Sequence, residues 1–292
     1  MSSKKILLMN QDIKIGVISD VKHESSPAYE SYYYACLNLF ENVKLINNVD
    51  DLDGIDVLLC GNDHFKNHLN IWSDDRVINY CNDKNIPFFV HTVEHIHTKY
   101  YPHNLEIQKK LEKYKILNQR CWDIQDSILK NRSIARVLLS KNFLNYKKPE
   151  EKKDSIIFIG KLYDNRRNLI NELSKHINVE TIERGRFDYY EFLSKLAEYK
   201  YVLSPKSLLV NGIPGRFYES LWVDSIPLQE IYDNTLDYYN IEKKVSNAIF
   251  FKTSEELIEK IKTEKLEISE QPKMFLEDEL LSFFEEYKIK MT

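Results

Sequence analysis

Short apolar runs alternate with amphipathic stretches along this 292-residue chain, the pattern of a parallel sheet with crossover helices. In the first half the pattern predicts strands at Lys5–Met9 or Ile13–Ser19, Val43–Ile46, Asp56–Cys60, Pro87–His91, Lys115–Asn118 and Ala135–Leu139. Helices fall between them near Pro27–Phe40, Asp74–Asn82, Asn104–Lys113 and Ile124–Lys130. The segment Asn145–Asp154, NYKKPEEKKD, is charged and contains proline, and a new buried run follows it, so it reads as a linker. Beyond it the pattern resumes, with strands at Ser155–Ile159, Val179–Ile182, Tyr201–Ser204, Ser225–Leu228 and Ala248–Phe251. Helices are predicted near Arg167–His176, Tyr189–Glu198, Pro214–Val223 and Ser254–Lys262, the last with Ser254 as N-cap. One more helix closes the chain at Lys273–Tyr287.

The most informative stretch is Tyr201–Glu230, YVLSPKSLLVNGIPGRFYESLWVDSIPLQE. It reads as a buried strand, a polar loop turning at Asn211-Gly212, a helix entered at Pro214, and a second strand. A helix that opens beside the C-terminal end of a parallel strand is an anion site, because free N–H groups and the helix dipole converge there. Arg216 and Glu219, three apart, share one face of that helix. A cation there suits a diphosphate, and a carboxylate one turn later can accept two hydrogen bonds from a ribose diol. The pair points to a sugar nucleotide.

The pattern Ser-Pro-x-x, then Arg-aromatic-Glu-Ser-Leu, then Ile-Pro-Leu resembles the nucleotide-sugar half of GT-B glycosyltransferases. The likeness is greatest to the retaining group 1 members and to the spore-coat and exostosin-like branches. Ser155–Ile170, SIIFIGKLYDNRRNLI, is similar to the family's strand-Gly-cation opening, with Lys161 and Arg166 on the two basic positions. The resemblance implies an α/β GT-B fold: two Rossmann-like doubly wound domains facing across a cleft, with the C-terminal helix returning to the first. It implies residues 1–148 as the acceptor side, 149–270 as the nucleotide-sugar side, and 271–292 as that helix. Lys161, Arg166, Lys206, Asn211, Gly212, Arg216 and Glu219 are the implied donor-binding residues. Asn211 stands eight residues before Glu219, where the family carries an acid, so a retaining or an inverting outcome stays open. Asp224 stands where the family usually has glycine after its helix.

Hydrophobic content of 43% and charged content of 29% are those of a globular protein, and the net charge of −4 gives no general attraction to polyanions. Seven glycines, none in a GxGxxG pattern, count against a dinucleotide-binding dehydrogenase. Abundant Asn, Lys, Ile and Tyr fit an AT-rich bacterial or phage genome. Cys36, Cys60, Cys81 and Cys121 are widely spaced and read as buried free thiols. The N-terminus has neither the form of a signal peptide nor that of an anchor, and no run is long enough to span a membrane, so a cytoplasmic location is expected.

Four further features bear on chemistry. The loop His91–His103, HTVEHIHTKYYPH, brings His91, Glu94, His95, His97 and His103 together in sequence, yet no third metal ligand is identifiable. Surface or aromatic-packed histidines are the plainer reading. Among functional ones His91 leads, because the resemblance places a histidine at this strand end. After Ile13–Ser19, Asp20, His23 and Glu24 can serve as a general base, with Asp20 preferred, or can simply cap the following helix. Asp51-Leu-Asp53 has a metal-transferase form but sits where aspartates make turns, so no metal is expected. Residues Lys99–Lys148 hold twelve Lys or Arg against four Asp or Glu, with Tyr100, Tyr101, Tyr114 and Trp122 interleaved. They are either solvated helix faces or a surface for a polyanion such as DNA.

The expected function is metal-independent sugar transfer from a nucleotide-diphosphate donor, acting as co-substrate, to an acceptor hydroxyl on a glycan or a phage-type DNA base. His91 and Asp20 are the expected catalytic residues. The alternatives are a non-catalytic sugar-nucleotide or glycan-binding protein and a GT-B-type epimerase.

Overall fold

The computed structural model describes residues 13–18, 27–60, 75–92, 117–121, 132–134, 139–183, 187–206, 213–232, 245, 247–264, 266–267 and 273–286. The chain divides into two compact units, Met1–Asn142 with Phe275–Thr292, and Phe143–Met274. The expected helices at Asn104–Lys113 and Ile124–Lys130 lie outside the described residues, as do Asp20, His23, Glu24, Glu94, His95, His97, His103, Tyr100, Tyr101, Tyr114, Trp122, Asn211 and Gly212.

In the first unit, β1 (Lys14–Ile18), β2 (Asn42–Leu45), β3 (Val57–Cys60), β4 (Phe88–Thr92), β5 (Leu117–Cys121) and β6 (Arg132–Ile134) form a parallel sheet in the order β2-β1-β3-β4-β5-β6. Strand β6 is described at Arg132–Ile134, and residues 135–138 of the predicted run Ala135–Leu139 lie outside the described residues. In β3 every residue is buried, as a central strand covered on both faces requires, whereas the edge strand β2 alternates exposed and half-buried positions. Gly16 lies in the middle of β1, and a Cβ there would stand 2.8 Å from Ile55 Cδ1, so glycine allows that close approach. Helices α1 (Pro27–Leu39) and α2 (Asp75–Asp83) connect the early strands. Val77, Ile78 and Cys81 of α2 pack with Ile18, Leu52, Leu58 and Phe88 in one core. Cys36, Cys60 and Cys81 are buried, and burial pushes the Cys81 thiol up to about 12. Asp51 and Asp53 shape a turn: Asp51 accepts from the Asn47 and Asn48 main-chain N–H groups, and Asp53 accepts from the Tyr80 hydroxyl. Those bonds, aided by Lys44, hold the Asp51 carboxyl below its ordinary range.

In the second unit, β7 (Lys153–Ile159), β8 (Val179–Ile182), β9 (Tyr199–Ser204), β10 (Ile226–Glu230) and β11 (Ile249–Phe251) run parallel in the order β11-β10-β9-β7-β8. Helices α3 (Asp164–Ser174), α4 (Tyr189–Ala197) and α5 (Gly215–Trp222) make crossovers, and α6 (Ser254–Thr263) follows the last strand. Ile156, Phe158, Tyr201, Leu203, Ile226, Leu228 and Phe251 form the core with Ile170 and Leu173 of α3 and Leu257 of α6. Helix α3 begins at Asp164, three residues before the predicted Arg167, and two N-caps differ from expectation by one residue. Pro214 is the extended residue before α5, with φ −62° and ψ 155°, and Thr253 rather than Ser254 caps α6 by accepting from the Glu256 N–H.

The segment read as a linker is anchored along its length. Tyr146 donates to the Trp222 carbonyl, Lys147 N–H donates to Ser194 Oγ, and β7 already begins at Lys153. The Lys152 ammonium donates to the carbonyls of Ala197 and Val223 and to Ser225 Oγ, placing a cation at the C-terminal ends of α4 and α5. Burial lowers its pKa to about 8. Next to it Asp224 has φ 53°, the left-handed backbone that glycine usually supplies. Aspartate tolerates that conformation better than most residues, and ion pairs from Lys273 at 3.3 Å and Lys148 at 3.8 Å hold it. The backbone role usually given to glycine is kept at this position.

A last helix, α7 (Leu276–Glu286), packs with α1 in the first unit. Its Glu277 is 1% exposed and accepts hydrogen bonds from Asn38 Nδ2, Ser140 Oγ and the Lys141 N–H. One carboxylate thus joins α1, the residues before the first unit gives way to the second, and the helix that comes after it. No described helix is long and apolar enough to cross a membrane. Glu277→Ala should strand three donors and lower stability by about 2–4 kcal/mol in urea unfolding, with Glu277→Gln intermediate; equal midpoints for all three proteins would refute this role.

Candidate functional site

In the second sheet the chain leaves β7 for β8 on one side and returns to β9 on the other. The crossovers diverge there, at the C-terminal ends of β7 and β9, the edge at which doubly wound proteins bind ligands. Two helices begin at this edge. Helix α3 follows β7 after Gly160–Tyr163, and α5 opens at Gly215 after the loop beyond β9. Neither has a side-chain cap, whereas Asp188 caps α4 and Thr253 caps α6. Uncapped first-turn N–H groups are available to an anion.

The cations of the site stand around this edge. Lys161 is exposed. Arg166 donates to the Lys161 carbonyl at 3.2 Å, and its guanidinium lies over the rings of Tyr163 (5.1 Å) and Phe158 (5.8 Å). Burial draws its pKa down, against the pull of Tyr163 and Glu230. Gly160 belongs to the same support, since a Cβ there would meet the Phe158 ring at 3.0 Å. At the end of β9, Lys206 pairs with Glu230 at 3.2 Å, and its ammonium lies 4.8 Å from the Tyr232 ring centre. The Lys206 N–H also donates to the Glu230 carboxylate at 3.2 Å.

Arg216 and Glu219 form a second pair on α5, turned toward α4. Arg216 Nε is 3.2 Å from Glu219 Oε2, and its guanidinium stacks 4.4 Å over Phe192. Tyr189 donates to Glu219 Oε1 at 3.1 Å. Both side chains of the pair are only 14% exposed. Arg216 is therefore a structural partner as well as a candidate ligand group, and its removal would leave a buried carboxylate.

Sequence reasoning missed Glu230 and Tyr189. Glu230 ends an apolar strand and resembles any polar strand terminus, while Tyr189 lies thirty residues from its partner. Sequence also gave no sign of Ser204 and Gln229, which face each other in the β9–β10 register and are fully buried. Ser204 Oγ and Gln229 Oε1 have no hydrogen-bond partner among the described residues, although Gln229 Nε2 donates to the Glu230 carbonyl. In the other unit, the backbone of His91 lies in β4, paired with Arg120 of β5. Among the described residues no group of three or more His, Cys, Asp or Glu is placed to hold a metal ion.

Both parallel sheets are those of Rossmann-like α/β units. The chain aligns with the crystal structure of the DNA-modifying enzyme β-glucosyltransferase, determined with and without its substrate uridine diphosphoglucose. That alignment has a TM-score of 0.50 and 13% identity over 96% of each chain, a likeness of fold. A two-component response regulator/GGDEF domain protein aligns at a TM-score of 0.26 and 8% identity over 85% of this chain and 96% of that one, which is too loose to carry an argument. No protein-family model and no curated protein matches the chain.

Tyr189→Phe removes one hydrogen bond to a buried carboxylate. It should lower stability by about 1–2 kcal/mol in urea unfolding; a midpoint at or above that of the parent would refute this role for the hydroxyl.

Proposed function

We propose that this protein is a glycosyltransferase that moves a sugar from a nucleoside-diphosphate donor, with a uridine diphosphate sugar the first to test. The observation that carries the reading is the C-terminal edge of the second sheet, where two uncapped helix starts and three basic side chains gather at the strand where the crossovers diverge. Lys161, Arg166 and Lys206 bind the diphosphate, together with the first-turn N–H groups of α3 and α5. Asn211 and Gly212 belong to the loop that leads into α5, and Arg216 and Glu219 complete the donor site. A carboxylate already fixed by Tyr189 and Arg216 is preorganised to accept from a ribose diol.

Transfer breaks the bond between the anomeric carbon and the terminal phosphate oxygen, and negative charge grows on the leaving diphosphate. Preorganised cations and N–H groups stabilise that charge without requiring a metal. The acceptor hydroxyl loses its proton to a base, for which Asp20 is proposed, and His91 is proposed to act at the sugar. The acceptor is proposed to be a glycan or a hydroxymethylated DNA base. The DNA reading draws on the basic segment 99–148 and on the fold shared with a DNA-modifying glucosyltransferase.

Lys161 is exposed, so Lys161→Ala should leave the melting temperature unchanged while weakening binding of UDP-glucose about tenfold, as loss of one charge-assisted contact requires. Unaltered affinity would remove Lys161 from the site. Release of glucose from UDP-glucose should persist in excess EDTA; complete loss, restored by manganese, would overturn the metal-independent mechanism.

A further inference from the structure

The carboxylate of Glu230 stands among the groups assigned to the diphosphate, and nothing in the function just proposed uses it. It is 15% exposed on its side chain, and it binds Lys206 twice, through the main-chain N–H and through the ammonium. Its charge also acts on Arg166, the cation at the start of α3. Lys206 and Glu230 close the adjacent strands β9 and β10, one residue or two beyond the paired residues Ser204 and Gln229. Ser204 Oγ and Gln229 Oε1, buried and without a partner among the described residues, are a second sign of a polar site at these strand ends.

An acid inside a phosphate site works against anion binding, unless the acid selects among anions. Lys161, Arg166 and Lys206 bring three positive charges, and Glu230 cancels one of them. The remaining charge matches the roughly two negative charges of a diphosphate esterified at both ends, and falls short of the roughly four of a nucleoside triphosphate. We propose that Glu230 is a specificity-determining residue of the donor site, setting its charge so that a nucleoside diphosphate-sugar binds in preference to a nucleoside triphosphate. This rests on the donor-site reading above. The device is repulsive: a triphosphate must bring its extra phosphate near a carboxylate that Lys206 cannot leave without exposing a second anion. A diphosphate-sugar places an uncharged polyol there instead, and hydroxyls can donate to the same carboxylate.

The test is isothermal titration of the full chain with UDP-glucose and with UTP, both in EDTA so that no cation masks the triphosphate. The unsubstituted protein should bind UDP-glucose more tightly than UTP. Glu230→Gln keeps the acceptor for the Lys206 N–H and removes the charge, and should shift the UTP-to-UDP-glucose affinity ratio about tenfold toward UTP. Lys206→Gln removes a positive charge and should shift the ratio the other way, so one folded variant is enough to decide the role of Glu230. A ratio that stays within twofold of the parent in each folded variant overturns that role. If the unsubstituted protein binds neither nucleotide, the donor-site reading itself fails and this proposal falls with it.

Discussion

A parallel sheet forces its chain to cross over the sheet between strands, and where the direction of crossing reverses, the covering elements part. In the second unit that reversal falls on β7, and the chemistry of the site depends on it. The reversal leaves α3 and α5 starting at one edge, so that both positive helix ends face it. It also lets the loop after Gly160 and the end of β9 bring basic residues that are far apart in sequence to the same edge. The dense packing beneath, from Ile156 and Phe158 to Leu203 and Leu228, makes that edge a rigid platform.

The sheets were legible because buried parallel strands are written as uninterrupted apolar runs. SIIFI, YVLS and SIPLQ mark β7, β9 and β10 to within two residues at either end. Cap identity was less legible. Pro214 and Ser254 each sit one residue from the role assigned to them, because an N-cap is defined by its backbone angles and its hydrogen bond, and neighbouring residue types can serve. The cations of the site were visible as charges following strands. Their partners were not, because an ion pair such as Lys206–Glu230 or a stack such as Arg216 on Phe192 exists only once two crossovers have been packed.

Acidic residues show the same limit more sharply. Asp51, Glu219, Glu230 and Glu277 are all carboxylates at turns, helices or strand ends, and their sequence surroundings do not rank them. Their surroundings in space do. Asp51 fastens a turn, Glu277 gathers three donors in a core, Glu219 is fixed by a tyrosine and an arginine, and Glu230 pairs with Lys206. What distinguishes these acids is how much of their hydrogen-bonding capacity the fold has already used.

Helix α5 ends at Trp222, whose carbonyl accepts from Tyr146 and whose indole N–H donates to the Met274 carbonyl. Those two partners lie near the first and last residues of the second unit, which runs from Phe143 to Met274. Its entry and exit are thus tied at a single residue. A polypeptide segment with adjoining ends can be spliced into a surface turn of a host chain without stretching it. The return of the chain to the first unit at Phe275 is what such an insertion leaves behind: in chain order the second unit is one closed loop set within the first.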